Sequence, residues 1–234
     1  MKFLKPRFWD NDQISLYSIF LLPVSLLMQI INFVRRLMVK SHKFSIPIIC
    51  VGNIYLGGTG KTPLCSELFL ILKNLNKNAV FIRKKYDSFQ DEINLLKQIG
   101  PVYEESKRID ALDEAIQNKF EVAVLDDGFQ DFSVEKDLSI VCFNEKQWIG
   151  NGFIIPSGPL REGLSALTRA NCVIINGKKN INIENKILKN NKLIKIFYSK
   201  YKPQNISDFK NRKIICFAGI DNHNNFFFNK SEKI

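Results

Sequence analysis

The residues best suited to chemistry lie in one glycine-rich stretch near position 60. Gly57-Gly58-Thr59-Gly60 is followed directly by Lys61 and Thr62. Glycines let backbone N–H groups turn towards one point and surround an anion. A lysine at this position can neutralise phosphates, and a threonine hydroxyl can bind Mg²⁺. The strict phosphate-binding pattern has glycine where this chain has Tyr55, so the loop is a variant form, and an incidental glycine-rich turn is the alternative.

The flanking sequence supplies elements that would position this loop. Residues 46–51 form a short apolar, β-branched run that is typical of a buried parallel strand, and residues 64–75 have helical spacing. Strand, glycine loop and helix is the order that a phosphate-binding loop requires, because the helix directs its positive end at the phosphates. The sequence therefore predicts a phosphate site between the first core strand and its helix.

Carboxylates at two further places could complete such a site. Asp126 ends an apolar run at 121–126, as a Walker B carboxylate does, and could hold Mg²⁺ opposite Thr62. An Asp-Asp-Gly sequence is also ordinary turn chemistry. Asp91 and Glu92 open a predicted helix at 89–99, either as a base and a metal-facing acid or as acids favoured by the helix dipole. Further candidates, as anion clamps, are Arg83, Lys107, Arg108 and Arg161.

The rest of the chain alternates between predicted strands and predicted helices. Strands are predicted at 79–83, 102–103, 121–126, 138–143, 172–176, 193–198 and 213–218, and helices at 109–120 and 165–170. The polar stretch 180–192 is expected to cover an edge. This alternation predicts an α/β fold, P-loop NTPase-like and doubly wound, with a mostly parallel sheet. Ligands of such sheets lie at the carboxyl ends of the strands, where both the glycine loop and Asp126-Asp127 fall.

An uncharged segment at 14–34 is the second informative stretch of the sequence. As a helix it would be roughly 31 Å long, which is just enough to span a bilayer core. It also contains three serines, Gln29, Asn32 and an interrupting Pro23. Cationic residues flank it on both sides, namely Lys2, Lys5, Arg7, Arg35, Arg36 and Lys40. Three interpretations remain open: a helix on the membrane surface, a true span and a core helix.

Composition narrows the classes of partner. The 34 basic and 23 acidic residues give a net charge of +11, which favours an acidic surface, either nucleic acid or anionic lipid, unless it reflects a Lys/Asn-rich composition alone. No RNP motif, zinc-finger spacing or helix-turn-helix pattern is present, so we expect no nucleic acid partner. The five cysteines form no C-x-x-C pair and are predicted to be buried thiols in a reducing compartment.

Three blocks of sequence together resemble the tetraacyldisaccharide 4'-kinase family. They are Val51-Gly52-Asn53 running into Gly57-Gly58-Thr59-Gly60-Lys61-Thr62-Pro63, then Asp126-Asp127-Gly128-Phe129-Gln130, and then Gly150-Asn151-Gly152 through Pro156-Ser157-Gly158-Pro159-Leu160-Arg161-Glu162. The third block is the most specific. The resemblance implies transfer of phosphate from ATP, with Mg²⁺, to the 4'-hydroxyl of a tetraacylated glucosamine disaccharide-1-phosphate in lipid A biosynthesis.

The resemblance also implies where the protein acts and how it is divided. Residues 1–40 would form a membrane-docking helix and residues 41–234 a P-loop kinase domain. The family acts on the cytoplasmic face of the inner membrane of Gram-negative bacteria. The implied partners are therefore the acylated disaccharide and the inner-membrane surface, and we expect no nucleic acid and no protein partner.

Carried over to the matching positions, the resemblance implies a role for each site residue. Asp91 would take the proton of the sugar hydroxyl. Lys61 and Asp126, which the phosphate-loop and strand-end patterns already indicate, complete the predicted catalytic set. Thr62, Glu92 and Asp127 would hold Mg²⁺. The nucleotide would be bound by Tyr55, Leu56, Gly57, Gly58, Thr59, Gly60, Lys61, Thr62, Gln130 and Arg161.

The chain departs from the family pattern in two places. The Ser-Arg-Gly-Tyr-Gly element of the family is represented only by Arg83-Lys84-Lys85-Tyr86. Family members also continue into a segment whose histidine partners the catalytic aspartate, whereas His223 lies in no matching context. We therefore expect a C-terminally shortened member of the family. Two alternatives remain: a catalytically impaired remnant that binds nucleotide, and a membrane-recruited P-loop ATPase.

Overall fold

The computed structural model describes residues 5–10, 14–85 and 90–201, and these contain seven strands and five α-helices. The strands are β1 (Ile48–Gly52), β2 (Ala79–Lys84), β3 (Val102–Glu105), β4 (Val122–Asp126), β5 (Leu138–Asn144), β6 (Cys172–Asn176) and β7 (Lys195–Ser199). The helices are α1 (Leu16–Met38), α2 (Lys61–Asn74), α3 (Gln90–Lys97), α4 (Arg108–Gln117) and α5 (Ile181–Asn190), with 3₁₀ helices at Arg7–Trp9 and Leu164–Arg169. The strand predicted at 213–218 lies outside the described residues.

The strands form one sheet in the order β3-β2-β4-β1-β5-β6-β7, and every neighbouring pair is parallel. Strand β1 lies between β4 and β5, with Val51 opposite Asp126. The carboxyl ends of β1 and β4 therefore meet at the same edge of the sheet. The predicted P-loop NTPase-like α/β fold is confirmed.

Helices cover both faces of this sheet because successive strand residues point to opposite sides. On one face, Cys65 and Phe69 of α2 and Leu96 of α3 pack against Val51 and neighbouring strand residues. On the other face, α4, α5 and the Leu164–Arg169 3₁₀ helix pack against Cys50 and its neighbours. The two central strands are thus buried on both sides, and the loops at their carboxyl ends rest on a rigid support.

Two helices differ from their sequence-based expectations. Helix α2 begins at Lys61 rather than at Leu64. Pro63 is compatible with this earlier start because a first-turn residue needs no N–H partner within the helix. The stretch that was expected to cover an edge forms α5, in which Ile183 and Ile187 are buried. Its four-residue isoleucine spacing holds the helix against the core despite the surrounding polar residues.

Helix α1 turns its serines inward and its apolar side chains outward. Ser18 and Ser25 are buried, whereas Leu16 and Phe20 are 83% and 82% exposed. Only 11% of its most apolar window is buried, although by length and composition the helix could cross a membrane. The interpretation of residues 14–34 as a core helix is therefore wrong. The two membrane interpretations of this segment remain.

Candidate active site

The glycine loop between β1 and α2 is held in place by Asn53. This side chain is fully buried, and its Nδ2 donates to Gly57 O at 3.2 Å and to Thr59 Oγ1 at 3.0 Å. Gly60 has φ +90° at the start of α2, and a Cβ there would lie 3.0 Å from the Tyr201 hydroxyl. Glycine is therefore the residue that this position accepts most easily. The loop enters α2 with Lys61 and Thr62 in the first turn.

The third sequence block lies directly against this loop. Leu56 N donates to Pro159 O at 2.8 Å, and Arg161 N donates to Ile54 O at 2.7 Å. Tyr55 between them is fully buried, and its hydroxyl donates to Asp10 Oδ1 at 3.1 Å. The Tyr55 side chain thus faces the N-terminal segment, so any contact of this residue with a nucleotide would be through its backbone.

Asp127 is the point at which the three blocks meet. Its carboxylate lies 3.8 Å from Lys61 Nζ, and it accepts from Arg161 Nη1 at 2.9 and 3.0 Å. Arg161 Nη1 also reaches Gln130 Oε1 at 3.5 Å, and Gln130 Nε2 donates to Asn53 O at 2.8 Å. Burial raises the pKa of Asp127, but Lys61 and Arg161 outweigh it, so the pKa lies below its ordinary value. The structure thus brings Lys61, Asp127, Gln130 and Arg161 together.

Asp126 points in a different direction from Asp127. Its side chain is buried, with Oδ2 3.1 Å from Arg83 Nη1 and Oδ1 accepting from Cys65 Sγ at 3.7 Å. Burial raises its pKa, and Arg83 and Lys61 oppose that shift only in part. The two adjacent carboxylates therefore have different partners, and Asp127 is the one that lies beside the glycine loop.

Arg83 connects Asp126 to the start of α3. Its Nη2 lies 2.5 Å from Glu92 Oε2, so one buried guanidinium bridges a buried and a half-exposed carboxylate. Asp91, the neighbour of Glu92, is exposed in the first turn of α3. The predicted roles of Asp91 as a base and of Glu92 as a metal ligand remain predictions. Tyr86, which belongs to the shortened Arg83–Tyr86 element, lies outside the described residues.

Arg108 supports the site in a way that the sequence did not predict. It is buried at the start of α4, and its Nη2 donates to Asp126 O at 3.1 Å and to Asp127 O at 2.9 Å. Its Nη1 donates to Asp131 Oδ2 at 3.0 Å. Asp127 has a positive φ of 54°. Arg108, named from the sequence as a candidate anion clamp, therefore binds the two carbonyls of the turn that carries Asp127.

The oxygen donors at this site suit a magnesium ion that also contacts phosphates. The Thr62 hydroxyl and the Asp127 carboxylate are hard ligands, and Mg²⁺ in such sites usually takes one or two protein ligands together with substrate phosphates. Among the described residues, no group of three or more His, Cys, Asp or Glu could hold a metal ion.

Cys50, Cys65, Cys142 and Cys172 are buried and free, as predicted, and burial raises the pKa of Cys50 to about 12.

A cleft runs from Arg161 along α1, and we call it the α1 cleft. It comprises two adjacent cavities of about 210 and 380 Å³, which share Asn32, Phe132, Arg161 and other lining residues. Gln130 and Met28 line the smaller cavity, and Arg36 and Arg169 line the larger one. The cleft therefore leads away from the Lys61–Asp127 site beneath the exposed helix.

Helix α1 forms one wall of this cleft because four polar side chains hold it on the core. Ser25 Oγ donates to Ile154 O at 2.9 Å, accepts from Ser157 N at 3.0 Å and lies 2.8 Å from Ser157 Oγ. Asn151 Nδ2 donates to Ser18 Oγ at 3.1 Å and to Ser157 O at 3.0 Å. The third sequence block thus contacts both α1 and the glycine loop.

Comparison with known families finds relatives that match nearly the whole chain. A family described as Tetraacyldisaccharide-1-P 4'-kinase matches residues 17–232. Proteins named tetraacyldisaccharide 4'-kinase from Pelagibacter ubique and Rickettsia canadensis are 45% and 33% identical to the chain over 232 and 245 residues. Each match covers 97% of this chain and 73% of the relative.

A solved structure shows the same fold. LpxK from Aquifex aeolicus, crystallised in complex with ATP, has a TM-score of 0.57 and 23% sequence identity to this chain. The match covers 85% of each chain. At this level of identity the comparison establishes the architecture of the sheet and its helices.

Proposed function

The chain belongs to the tetraacyldisaccharide 4'-kinase family, and we propose that it transfers the γ-phosphoryl group of ATP to the 4'-hydroxyl of a tetraacylated disaccharide-1-phosphate. The observation that carries this proposal is the ion pair between Arg161 and Asp127. The Asp127 carboxylate of this pair also lies 3.8 Å from Lys61 Nζ. The ion pair brings a side chain of the family's most specific block next to the lysine of the nucleotide loop. This geometry supports a contact of Arg161 with the phosphates or the acceptor.

On the nucleotide side, the residues bind and neutralise phosphates. The backbone N–H groups of residues 55–62 would surround the β- and γ-phosphates, with Lys61 adding charge and α2 adding its N-terminal dipole. Mg²⁺, when bound, neutralises charge that develops during transfer. Thr62 and Asp127 would hold it, with Glu92 as the further ligand that the resemblance implies. Phosphoryl transfer needs mainly this positioning and charge neutralisation.

On the acceptor side, Asp91 would take the proton of the attacking hydroxyl. Its position in the first turn of α3 depends on Glu92, which is anchored through Arg83 to buried Asp126. We infer that this chain of ion pairs sets the distance between α3 and the glycine loop. Asp126 would then act through Arg83 rather than as a direct metal ligand.

Helix α1 would place the enzyme on the cytoplasmic face of the inner membrane, where ATP and the lipid acceptor meet. Its exposed apolar side chains, including Leu16, Phe20 and Leu37, suit contact with acyl chains. Arg35 and Lys40 at its C-terminal end are exposed and would attract anionic lipid headgroups. The acylated substrate would then enter the α1 cleft from the bilayer.

Transfer of radiolabelled γ-phosphate to the tetraacylated disaccharide-1-phosphate tests the proposal. Lys61→Ala should lower the rate of transfer roughly a thousandfold, because Lys61 stabilises charge on the transferred group. Lys73→Ala is the matched control, since Lys73 lies exposed at the far end of the same helix, and it should leave the rate unchanged.

Three results would contradict the proposal. Transfer that survives Lys61→Ala would exclude this site. Binding of ATP without transfer by the wild-type protein would favour the nucleotide-binding remnant. Release of phosphate without the acceptor would favour the membrane-recruited ATPase.

A further inference from the structure

The larger cavity of the α1 cleft has an excess of positive charge. Among the described residues that line it, Arg36, Arg161 and Arg169 are cationic and Glu162 is the acid, which leaves a net charge of +2. A cleft walled by protein focuses such a charge and attracts anions. The wider end of the cleft is therefore suited to an anionic group.

Two of these arginines already have carboxylate partners. Arg161 pairs with Asp127, and Arg169 Nη2 pairs with both oxygens of Glu162 at 2.9 and 2.8 Å. Within the part of the chain that the structure describes, Arg36 makes no ion pair. Arg36 is thus the cleft cation whose charge is still available to a ligand.

An aromatic ring fixes the position of the Arg36 guanidinium. Its Cζ lies 5.0 Å from the centre of the Phe132 ring, and Arg169 Cζ lies 4.8 Å from the same ring centre. A cation–π contact restricts a guanidinium while leaving N–H groups able to donate, and a guanidinium can bind phosphate in a bidentate manner. Phe132 therefore holds Arg36 ready for a phosphate.

The two ends of the cleft are separated by about two turns of α1. Met28 and Gln130 line only the smaller cavity and Arg36 lines only the larger one, whereas Arg161 lines both. Eight residues of helix correspond to about 12 Å. The family description names an acceptor with a phosphate at position 1 of the disaccharide and the reacting hydroxyl at position 4'. These two groups lie on different sugar rings. The acceptor therefore has an anionic end and a reacting end, which can lie at the two ends of the cleft.

We propose that Arg36, in contact with Phe132, binds the 1-phosphate of the disaccharide while the 4'-hydroxyl lies at the end of the α1 cleft that Met28 and Gln130 line. This inference rests on the proposed function, because it concerns the acceptor of the same reaction. It makes α1 a determinant of substrate specificity in addition to a membrane contact. An anionic bilayer lipid could also supply a phosphate near Arg36. The following experiment distinguishes that ligand from the acceptor.

The experiment compares tetraacylated acceptors with and without the 1-phosphate in micelles of a neutral detergent. For the wild type, removal of the 1-phosphate should raise KM roughly tenfold or more, with little change in kcat, because a charge-assisted contact to phosphate is lost. Arg36→Gln should bring the two KM values within about twofold of each other, and Arg36→Lys should retain part of the difference. Lys189→Gln removes an exposed cation in the last turn of α5, outside the cleft, so it is the control and should keep the wild-type ratio.

Several outcomes would overturn the inference. An Arg36→Gln enzyme that keeps the wild-type KM ratio would show that the 1-phosphate is bound elsewhere. An equal loss of preference in Lys189→Gln would show a general effect of net charge rather than a subsite. An effect of Arg36→Gln only on vesicles that contain anionic phospholipid would assign Arg36 to the bilayer instead.

Equilibrium binding of the two acceptors separates this inference from the proposed function. If the wild-type protein transfers no phosphate, the proposed function fails. A binding preference for the 1-phosphorylated acceptor that depends on Arg36 would still support the subsite, and equal binding of the two acceptors would refute it.

Discussion

The nucleotide side of the site and the α1 side are built on opposite principles. Around Asp127, buried polar groups are held by other buried polar groups: Arg108 holds the turn, and Asn53 holds the glycine loop. Along α1, a few hydroxyl contacts hold a helix whose apolar side chains point outward. The nucleotide side is pre-organised by the fold alone. The α1 side instead presents an apolar surface that suits contact with lipid.

This difference between the two sides predicts that the largest loss of stability follows substitution of Arg108. Arg108→Ala would leave the Asp131 carboxylate and two turn carbonyls without their buried donor, which should lower the free energy of unfolding by about 3–5 kcal/mol. Urea unfolding measures this change, and equilibrium binding should show a parallel loss of affinity for Mg-ATP. Lys107→Ala, one residue earlier and exposed, is the control and should alter the free energy of unfolding by less than about 0.5 kcal/mol. Equal effects of the two substitutions would remove the claim that the turn depends on Arg108.

The next effect concerns the exposed face of α1. Phe20 is 82% exposed, and Phe20→Ser should weaken binding to lipid vesicles by about 2 kcal/mol, or more than tenfold, because the phenyl ring no longer enters the apolar phase. Vesicle co-sedimentation measures this affinity. Leu193→Ser is the matched control, since Leu193 is 92% exposed but lies just before β7 rather than on α1. If both variants bound vesicles equally weakly, the membrane contact would not be specific to α1.

A smaller effect is expected where the two sides join, at Ser25. Ser25→Ala would leave the buried N–H of Ser157 without its acceptor, at a cost of about 1–2 kcal/mol to the docking of α1. The KM for the lipid acceptor should rise several-fold, while the affinity for ATP should stay unchanged.

Ser15→Ala provides the control for Ser25→Ala. It removes a serine that caps the start of α1 through Tyr17 N, so it tests the stability of the helix rather than its docking on the core. A change in ATP affinity in Ser25→Ala would show that the two sides are not independent.

The sequence was sufficient for most of the nucleotide side because local patterns determine it. A glycine loop between a strand and a helix can point only towards the carboxyl edge of the sheet, and an acid that ends the neighbouring strand must lie beside it. Lys61, Asp127, Gln130 and Arg161 do meet there. The residue pattern alone favoured Asp126 as the magnesium ligand, and only the family resemblance favoured Asp127. Local pattern could not decide, because adjacent residues in a turn take directions that depend on partners such as Arg83 and Arg108.

The orientation of α1 could not be predicted for a different reason. Its serines interrupt an apolar segment. Such polar residues can indicate either a poor membrane span or a surface that docks on the rest of the protein. Only the position of Asn151 and Ser157 on the core decides between these, and that contact spans more than 130 residues of sequence. Long-range contacts of this kind leave no periodic signal. The side chain of Tyr55 escaped prediction in the same way, since its partner Asp10 lies 45 residues away.

The smallest predicted effect is a difference in the response of the two sides to acid. Burial raises the pKa of Asp131, but hydrogen bonds from Ser133 and the charge of Arg108 outweigh it, so the pKa lies below its ordinary value. The folded protein therefore binds fewer protons at Asp131 than the unfolded chain does. The stabilisation is fully present above the ordinary aspartate pKa and is lost as the pH falls through the folded value.

The difference in free energy of unfolding between the wild type and Asp131→Asn should accordingly shrink as the pH falls from about 5 to 3. The Ser25–Ser157 contact involves neutral groups, so the corresponding difference for Ser25→Ala should not change over the same range. A pH-independent difference for Asp131→Asn would show that the ionised Asp131 carboxylate does not stabilise the fold.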